Sequence, residues 1–432
     1  RRKEKMLGFF KFLYDKNFRV PVLLTNDTEH RVASTLELFM DLAYVAALAA
    51  LVHYLVGAEH IDGKVIYGFL LRYLSIFALW FNLIWYNNLY ENKTIRHRIF
   101  MLLIILAVIC QQVVFNFKTE EGGRFLTIAF CISRLLELIL WLTSTYSKKN
   151  TNKTLKKASI FYMIGLAYSA TVPLLGQLYI GQSDFILATT VIMEFILPTV
   201  MFSIIAGNAM KKGCSDKIPV HHNLLRERFG LLFLLVIGEG IVAITRVLEH
   251  YEKDLVHSLM YAGMIGIIAY GLWEIYYDIV QGEHNRYDNK YVIHWSFLNM
   301  FLCLGAAMLL GTTPELIYPH HPENIVVLSK IHMLGMAIFN IGVYISSQMR
   351  DRKLGAGGAS YLNEFVKMDR KAIKVMTAML LVVAGALIVM TFVPGVTGNI
   401  ALITTLTSTV LFLVMKQYVA YKSFANTNRE LK

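Results

Sequence analysis

Apolar residues in this chain fall into about twelve blocks of roughly 20 residues, the length a helix needs to cross a bilayer. They are Leu36–Val56, Ile66–Tyr86, Ile99–Phe117, Phe125–Tyr146, Ile160–Ile180, Phe185–Ala206, Phe229–Leu248, Leu255–Ile279, Tyr291–Leu310, Ile325–Ser347, Ala372–Val393 and Thr397–Val419. The hydrocarbon layer offers backbone groups no partner, so helices are the expected form. Of 432 residues 56% are hydrophobic and 17% charged, and the mean hydropathy is +0.50. That is too apolar for a soluble chain of this length. The prediction is an all-α polytopic membrane protein with about twelve transmembrane helices.

The net charge of +12 would suggest nucleic acid in a soluble protein. Here the Lys and Arg gather in the N-terminal segment, in Glu91–Arg98, Ser147–Lys157, Gly207–Arg228, Gln281–Lys290 and Arg350–Lys371, and in the tail from Lys416. The intervening loops hold few. By the positive-inside rule both termini are expected in the cytoplasm, which agrees with an even helix count. The partner this charge implies is the lipid bilayer, with no nucleic acid. Cys110, Cys131, Cys214 and Cys303 form neither a disulfide framework nor a metal-ligand spacing, so no metal or cofactor is expected. No cleavable signal peptide is visible. Met6–Val20 mixes aromatic and basic residues and reads as a short interfacial helix or as a plain basic linker.

The expected organisation is a cytoplasmic segment over 1–34, a six-helix half over 35–210, a second over 211–419 and a cytoplasmic tail over 420–432. The loop after the sixth span, with Gly213 and Pro219, marks the division. A weak echo between Leu79–Tyr86 (LWFNLIWY) and Leu272–Ile279 (LWEIYYDI) supports a repeat, which would run the two halves in the same direction. No Gly-rich loop ending in Gly-Lys-Ser/Thr, no HExxH and no GxSxG is present, so nothing points to ATP hydrolysis.

Charges at membrane depth are costly and therefore informative. The first span carries Glu37, Asp41 and His53. Ser34 and Glu37 form the Ser-x-x-Glu capping pattern, so Glu37 is read as the helix start. Asp41 lies one turn deeper on the same face and is either a proton or cation site or a packing ion pair. Ala43, Ala46, Ala47 and Ala50 permit close helix approach. His53 is placed at the outer interface. In the seventh span Arg226 and Arg228 read as interfacial anchors. Glu239, between Gly238 and Gly240, counts to near mid-membrane from Phe229. Arg134 is near the middle of the fourth span, with Glu137 at i+3, and the pair is expected to satisfy itself. Glu194, four residues before Pro198, is a second mid-membrane acid or a packing contact. Glu274 and Asp278 are again i,i+4, near the cytoplasmic end of the eighth span. They, His294, Lys330 and His332 are expected at interfaces. His221-His222 and His320-His321 read as solvated loop pairs.

Two segments resemble the bacterial low temperature requirement A family. LELFMDLAYVAALAALVH, Leu36–His53, is similar to its opening Leu-Glu-Leu-Phe-Phe-Asp signature, and ERFGLLFLLVIGEGIVAI, Glu227–Ile244, to its Arg-Phe-Gly…Gly-Glu segment. WEIYYD, Trp273–Asp278, is a weaker match to a Trp-Trp-x-Tyr-Phe-Asp pattern. Met40, Ala50, Gly240 and Glu274 depart from the usual Phe, Gln, Ser and Trp. The motif acids fall on Glu37, Asp41, Glu239 and Asp278. The resemblance implies a polytopic bacterial membrane protein and carries no activity.

The function expected is proton-coupled secondary transport of a small solute or ion across the bacterial cytoplasmic membrane. Glu239 and Asp41 would be the coupling acids, with Glu194 and Arg134 in the same cavity. The alternatives are a membrane-embedded enzyme acting on a lipid or isoprenoid through Asp41, Glu274, Asp278 and His294, and a channel.

Overall fold

The computed structural model describes residues 12, 18–24, 32–90, 93–115, 120–147, 150–179, 184–211, 218–249, 255–281, 289–349 and 370–430. Most of Met6–Val20, Gly213 and the segment 350–369 lie outside them. The described residues are helical without strands; one isolated bridge joins Leu23 to Tyr90. The helices are α1 Thr35–Val56, α2 Gly63–Leu89, α3 Ile95–Phe115, α4 Glu120–Thr145, α5 Lys153–Tyr179, α6 Asp184–Val191, α7 Leu197–Lys211, α8 His222–Glu249, α9 Leu255–Ile275, α10 Asn289–Ile317, α11 Ile325–Gln348, α12 Arg370–Met390 and α13 Gly398–Glu430. A π-helical segment, Ile192–Ile196, joins α6 to α7, and a second, Tyr276–Val280, extends α9.

Among the described residues, 11 helices are long and apolar enough to cross a membrane, and Lys374–Met390 of α12 is a shorter apolar helix. The protein is therefore multi-pass. Its Cα atoms form two compact units, Arg1–Leu51 with Tyr67–Arg228, and Val52–Ile66 with Phe229–Lys432.

The sequence of α4 shows how a span sorts its faces. Phe130, Arg134, Glu137, Trp141 and Ser144 recur at helical spacing, and all are buried. Phe125, Ile128, Ile132, Leu135 and Leu142 point outward as exposed apolar side chains. On α3 the exposed stripe is Leu102, Leu103, Leu106, Ile109 and Val113. Such stripes suit acyl chains, which solvate leucine as well as a protein core does. The first unit's interior is aromatic: Trp80, Trp85, Trp141, Tyr86 and Tyr162 are all buried, with the Trp141 and Tyr162 rings stacked at 5.3 Å.

The π segment Ile192–Ile196 has a local cause. Pro198 has no N–H for the carbonyl of Glu194, four residues back, and its ring crowds that carbonyl. The α-helical ladder cannot pass this point. The bonding slips to i+5, with the Leu197 N–H donating to the Ile192 carbonyl. Gly165 of α5 packs directly under the segment; a Cβ there would meet the Met193 carbonyl oxygen and lie 2.8 Å from Glu194 Cα.

In the second unit α10 and α11 touch through backbone. A Cβ on Gly305 would lie 2.6 Å from the Gly335 carbonyl oxygen, and one on Gly335 would lie 2.8 Å from the Gly305 oxygen. Small residues drive such approach in a bilayer, where burial of apolar surface cannot. Gly335→Val is expected to cost roughly 1–3 kcal/mol through overpacking. The check is a lowered midpoint in thermal unfolding of the detergent-solubilised protein.

Candidate functional site

Depth along each span identifies the groups that water cannot reach. Tyr44 is the tenth of the 22 residues of its span and Arg134 the fourteenth of 25. Glu194 is the tenth of 21 and Ser75 the thirteenth of 27. All four stand at mid-membrane, and all belong to the first unit.

They form one polar centre. Arg134 Nε donates to Glu194 Oε2 at 3.1 Å, Nη2 to the Ser75 carbonyl at 2.5 Å and Nη1 to Ser133 Oγ at 3.1 Å. Its Cζ stands 3.9 Å from the Phe130 ring centroid. The guanidinium is thus fixed on three sides and stacked on the fourth. Glu194 is held by the π segment, so Pro198 and Gly165 determine where its carboxylate sits.

The expected Arg134–Glu137 pair is not made. An i,i+3 acid was in reach, but the guanidinium is committed across the bundle to Glu194. Glu137 is fully buried, and neither of its carboxylate oxygens has a hydrogen-bond partner among the described residues. The charges acting on it through space are those of Arg134 and Glu194. Glu194 Oε1, the Tyr44 hydroxyl and Ser75 Oγ are likewise buried without partners. The charges that reach the Tyr44 hydroxyl through space are, largest first, those of Glu137, Arg134, Glu194 and Asp41.

Asp41 has a different environment. Arg228 Nε donates to Asp41 Oδ2 at 2.8 Å and Nη2 to Oδ1 at 2.5 Å, a bidentate pair. Trp80 Nε1 adds a bond to Oδ1 at 2.8 Å. Arg228 Nη1 also lies 3.3 Å from Glu37 Oε1. Arg228 is therefore no interfacial anchor. Its helix starts at His222 rather than near Phe229, which carries its side chain into the protein, 1% exposed. Glu37 serves two partners: its Oε2 accepts from the Ser34 N–H at 2.7 Å and Oγ at 2.8 Å, the capping-box arrangement.

The second unit repeats the motif with a lysine. Lys416 Nζ donates to Glu274 Oε1 at 2.6 Å and to Asp278 Oδ2. The π segment that carries Asp278 is anchored by Tyr276, whose hydroxyl donates to Asn299 Oδ1 at 2.6 Å, and by Tyr277, whose hydroxyl donates to the Gly230 carbonyl at 2.8 Å.

Other sequence candidates fall elsewhere. Glu239 is the eighteenth of the 28 residues of α8, a little past the middle of its helix, because α8 begins earlier than the apolar run does. It is half-buried. His294 is exposed, and Lys330 half-buried. His332 is not interfacial: it is buried, with Nδ1 3.0 Å from the Leu309 carbonyl and Nε2 3.1 Å from Thr405 Oγ1. His222 opens α8, and His221 exchanges backbone bonds with the Asn88 side chain, so this pair is no solvated loop. His320 pairs with Glu315 at 2.7 Å. His53 is exposed at the far end of α1.

Three residues central to this geometry were assigned other roles from sequence. Glu137 shares one helical face with Phe130, Arg134 and Trp141, which marks it as inward-facing. Lys416 is a lone base between VLFLVM and QYVA, a sign of an internal partner. Arg228 carried no such sign, since basic residues also flank spans as anchors.

The family model described as bacterial low temperature requirement A protein (LtrA) matches residues 32–416. That stretch contains every ion pair described above. No curated protein matches the chain.

The paired and unpaired acids should respond oppositely to neutralisation. Arg228→Met strands the buried Asp41 and is expected to destabilise by roughly 3–5 kcal/mol, and Asp41→Asn, which leaves Arg228 its Glu37 partner, by less. The Asp41→Leu/Arg228→Met double variant should lose far less than the sum of its singles. Glu137→Gln should be neutral or stabilising. Unfolding of the purified variants in mixed detergent micelles measures all of these.

Proposed function

This chain belongs to the bacterial low temperature requirement A family, and we propose that it is a proton-coupled secondary transporter of a small solute or ion. The observation that carries this reading is Glu137: a carboxyl group four residues past the centre of its span, buried, unpartnered, and beside a fixed Arg134–Glu194 pair. An ionised carboxylate in that position costs several kcal/mol unless something compensates its charge. A carboxyl that exchanges its proton against another ligand is what coupling requires.

Asp41 and Glu239 support the reading less. Both oxygens of Asp41 are bonded to Arg228, and Oδ1 to Trp80 as well. Glu239 stands a little past the middle of its helix and is half-buried. Arg134 and Glu194 are the positioning pair, and Glu137 is the coupling acid. The alternation of basic and non-basic loops supports cytoplasmic termini in the bacterial cytoplasmic membrane.

Proteoliposomes loaded with a pH-sensitive dye and carrying a pH gradient provide the test. A panel of alkali salts, amines, amino acids and organic anions is added outside. At least one solute class should collapse the gradient in the wild type and fail to do so in Glu137→Gln. A panel that leaves the gradient untouched, or a Glu137→Gln response equal to wild type, would sink the assignment.

A further inference from the structure

The oxygens of the mid-membrane centre outnumber what a proton can serve. A proton on Glu137 makes one O–H, which reaches one acceptor. Glu137 Oε1 and Oε2, Glu194 Oε1, the Tyr44 hydroxyl and Ser75 Oγ are all buried and have no hydrogen-bond partner among the described residues. Tyr44 is 1% exposed and feels the charges of Glu137 and Glu194, so the surplus is not confined to the carboxylates. The formal charge agrees with this. Two carboxylates, Glu137 and Glu194, face one guanidinium, Arg134, which spends three of its N–H groups on Glu194, Ser75 and Ser133. One negative charge is left over.

The remaining neighbours of Glu137 do not cancel it. The charged groups acting on it are Arg134 on its own helix and Glu194 on the π segment, and the titratable Tyr44 on α1 feels its charge in turn. Helix α2 brings the neutral Ser75, and α3 brings Gln111, whose amide reaches Ser133 Oγ. Helix α5 brings Tyr162, stacked on Trp141 one turn beyond Glu137. Asp41, on α1, is held by Arg228.

We infer that this centre binds a bare alkali cation of sodium size in exchange for the Glu137 proton, so that the solute carried is itself a small monovalent cation. Hard oxygen ligands in a carboxylate, a hydroxyl and a shared acid suit such an ion and do not suit a soft or transition metal. Phe195, the chain neighbour of Glu194, packs its ring on Phe81 at 5.0 Å and on Phe77 at 6.1 Å, and such packing favours a small occupant over an organic one. In the exchange the Glu137 O–H bond breaks, the proton leaves to water, and the cation takes its place on the carboxylate. Charge is conserved one for one and no redox partner is needed. The assignment rests on the transporter reading for its role, while the binding step stands apart from transport.

The experiment is proton release from the full-length protein in detergent, in weakly buffered solution with a pH indicator. Sodium, lithium and potassium chlorides are compared with choline chloride. Sodium is expected to release up to about one proton per chain in the wild type. It should release none in Glu137→Gln. Tyr44→Phe, which keeps the ring and removes one oxygen, should need about tenfold more sodium, the equivalent of ~1.4 kcal/mol. Release no greater than with choline overturns the cation site, as does release that persists in Glu137→Gln. If Glu137→Gln does not fold, Tyr44→Phe decides, and a titration superimposable on wild type overturns the ligand set. A negative result here, with another solute still collapsing the liposome gradient, removes the cation and leaves the transporter. Proton release without any gradient collapse does the reverse.

Discussion

A charge inside a bilayer has to find its counter-charge within the protein, because neither lipid nor trapped water can solvate it. This constraint organises both units. Arg228 is clamped by Asp41 and Glu37, Lys416 by Glu274 and Asp278, and Arg134 by Glu194. The first two clamps share a design: acids at i,i+4 on one helix grip a base delivered from a segment distant in sequence. Each ties a span to a remote one near a membrane face. Because replacing such pairs with apolar residues is often neutral, their value lies in fixing which helix meets which.

The third pair is different in depth and in company. It stands at the middle of its spans, it has a single acid rather than two, and the acid comes from a π segment. Pro198 removes the α-helical bond at Glu194, and Gly165 lets α5 approach the displaced backbone. The departure from regular helix is therefore written in two residues, neither of them charged. Their effect is to hold Glu194 where it engages Arg134, which leaves the nearer acid, Glu137, without a partner. The unmatched group thus arises from competition for one guanidinium.

The membrane class and the helices were legible in the sequence because apolar block length and loop charge are local properties. The Ser34–Glu37 spacing is local too, and so is the inward stripe of Phe130, Arg134, Glu137 and Trp141. What could not be read was partnership. Arg134 and Glu137 at i,i+3 look like a pair until Glu194 is brought beside them, 60 residues away in the chain. Arg228 looks like an anchor until the start of α8 is known, and Asp41 is 187 residues from it. Glu239 shifted outward for the same reason: apolar runs mark where a span is hydrophobic, and helices begin earlier, at polar residues such as His222. The family resemblance located Glu37, Asp41, Glu239 and Asp278, yet none of these is the unpartnered mid-membrane acid.

Counting buried charge extends the argument to selectivity. In the first unit the buried carboxylates are Glu37, Asp41, Glu137 and Glu194, and the buried guanidinium groups are Arg134 and Arg228. In the second, among the described residues, Glu274 and the half-buried Asp278 face Lys416, and the buried Glu315 meets the exposed His320. Acid exceeds base in both. Near a membrane face the excess is tolerable, since a carboxylate one or two turns from the end can borrow water or backbone donors, as Glu37 does from Ser34. At mid-depth that escape is closed. A single uncompensated acid there repels anions and is neutralised only by a proton or by a cation small enough to enter a packed aromatic interior. On the proposed function, the field that disfavours an anionic solute and the group that exchanges its ligand would be the same carboxyl, and a change at Glu137 would alter charge preference and coupling together.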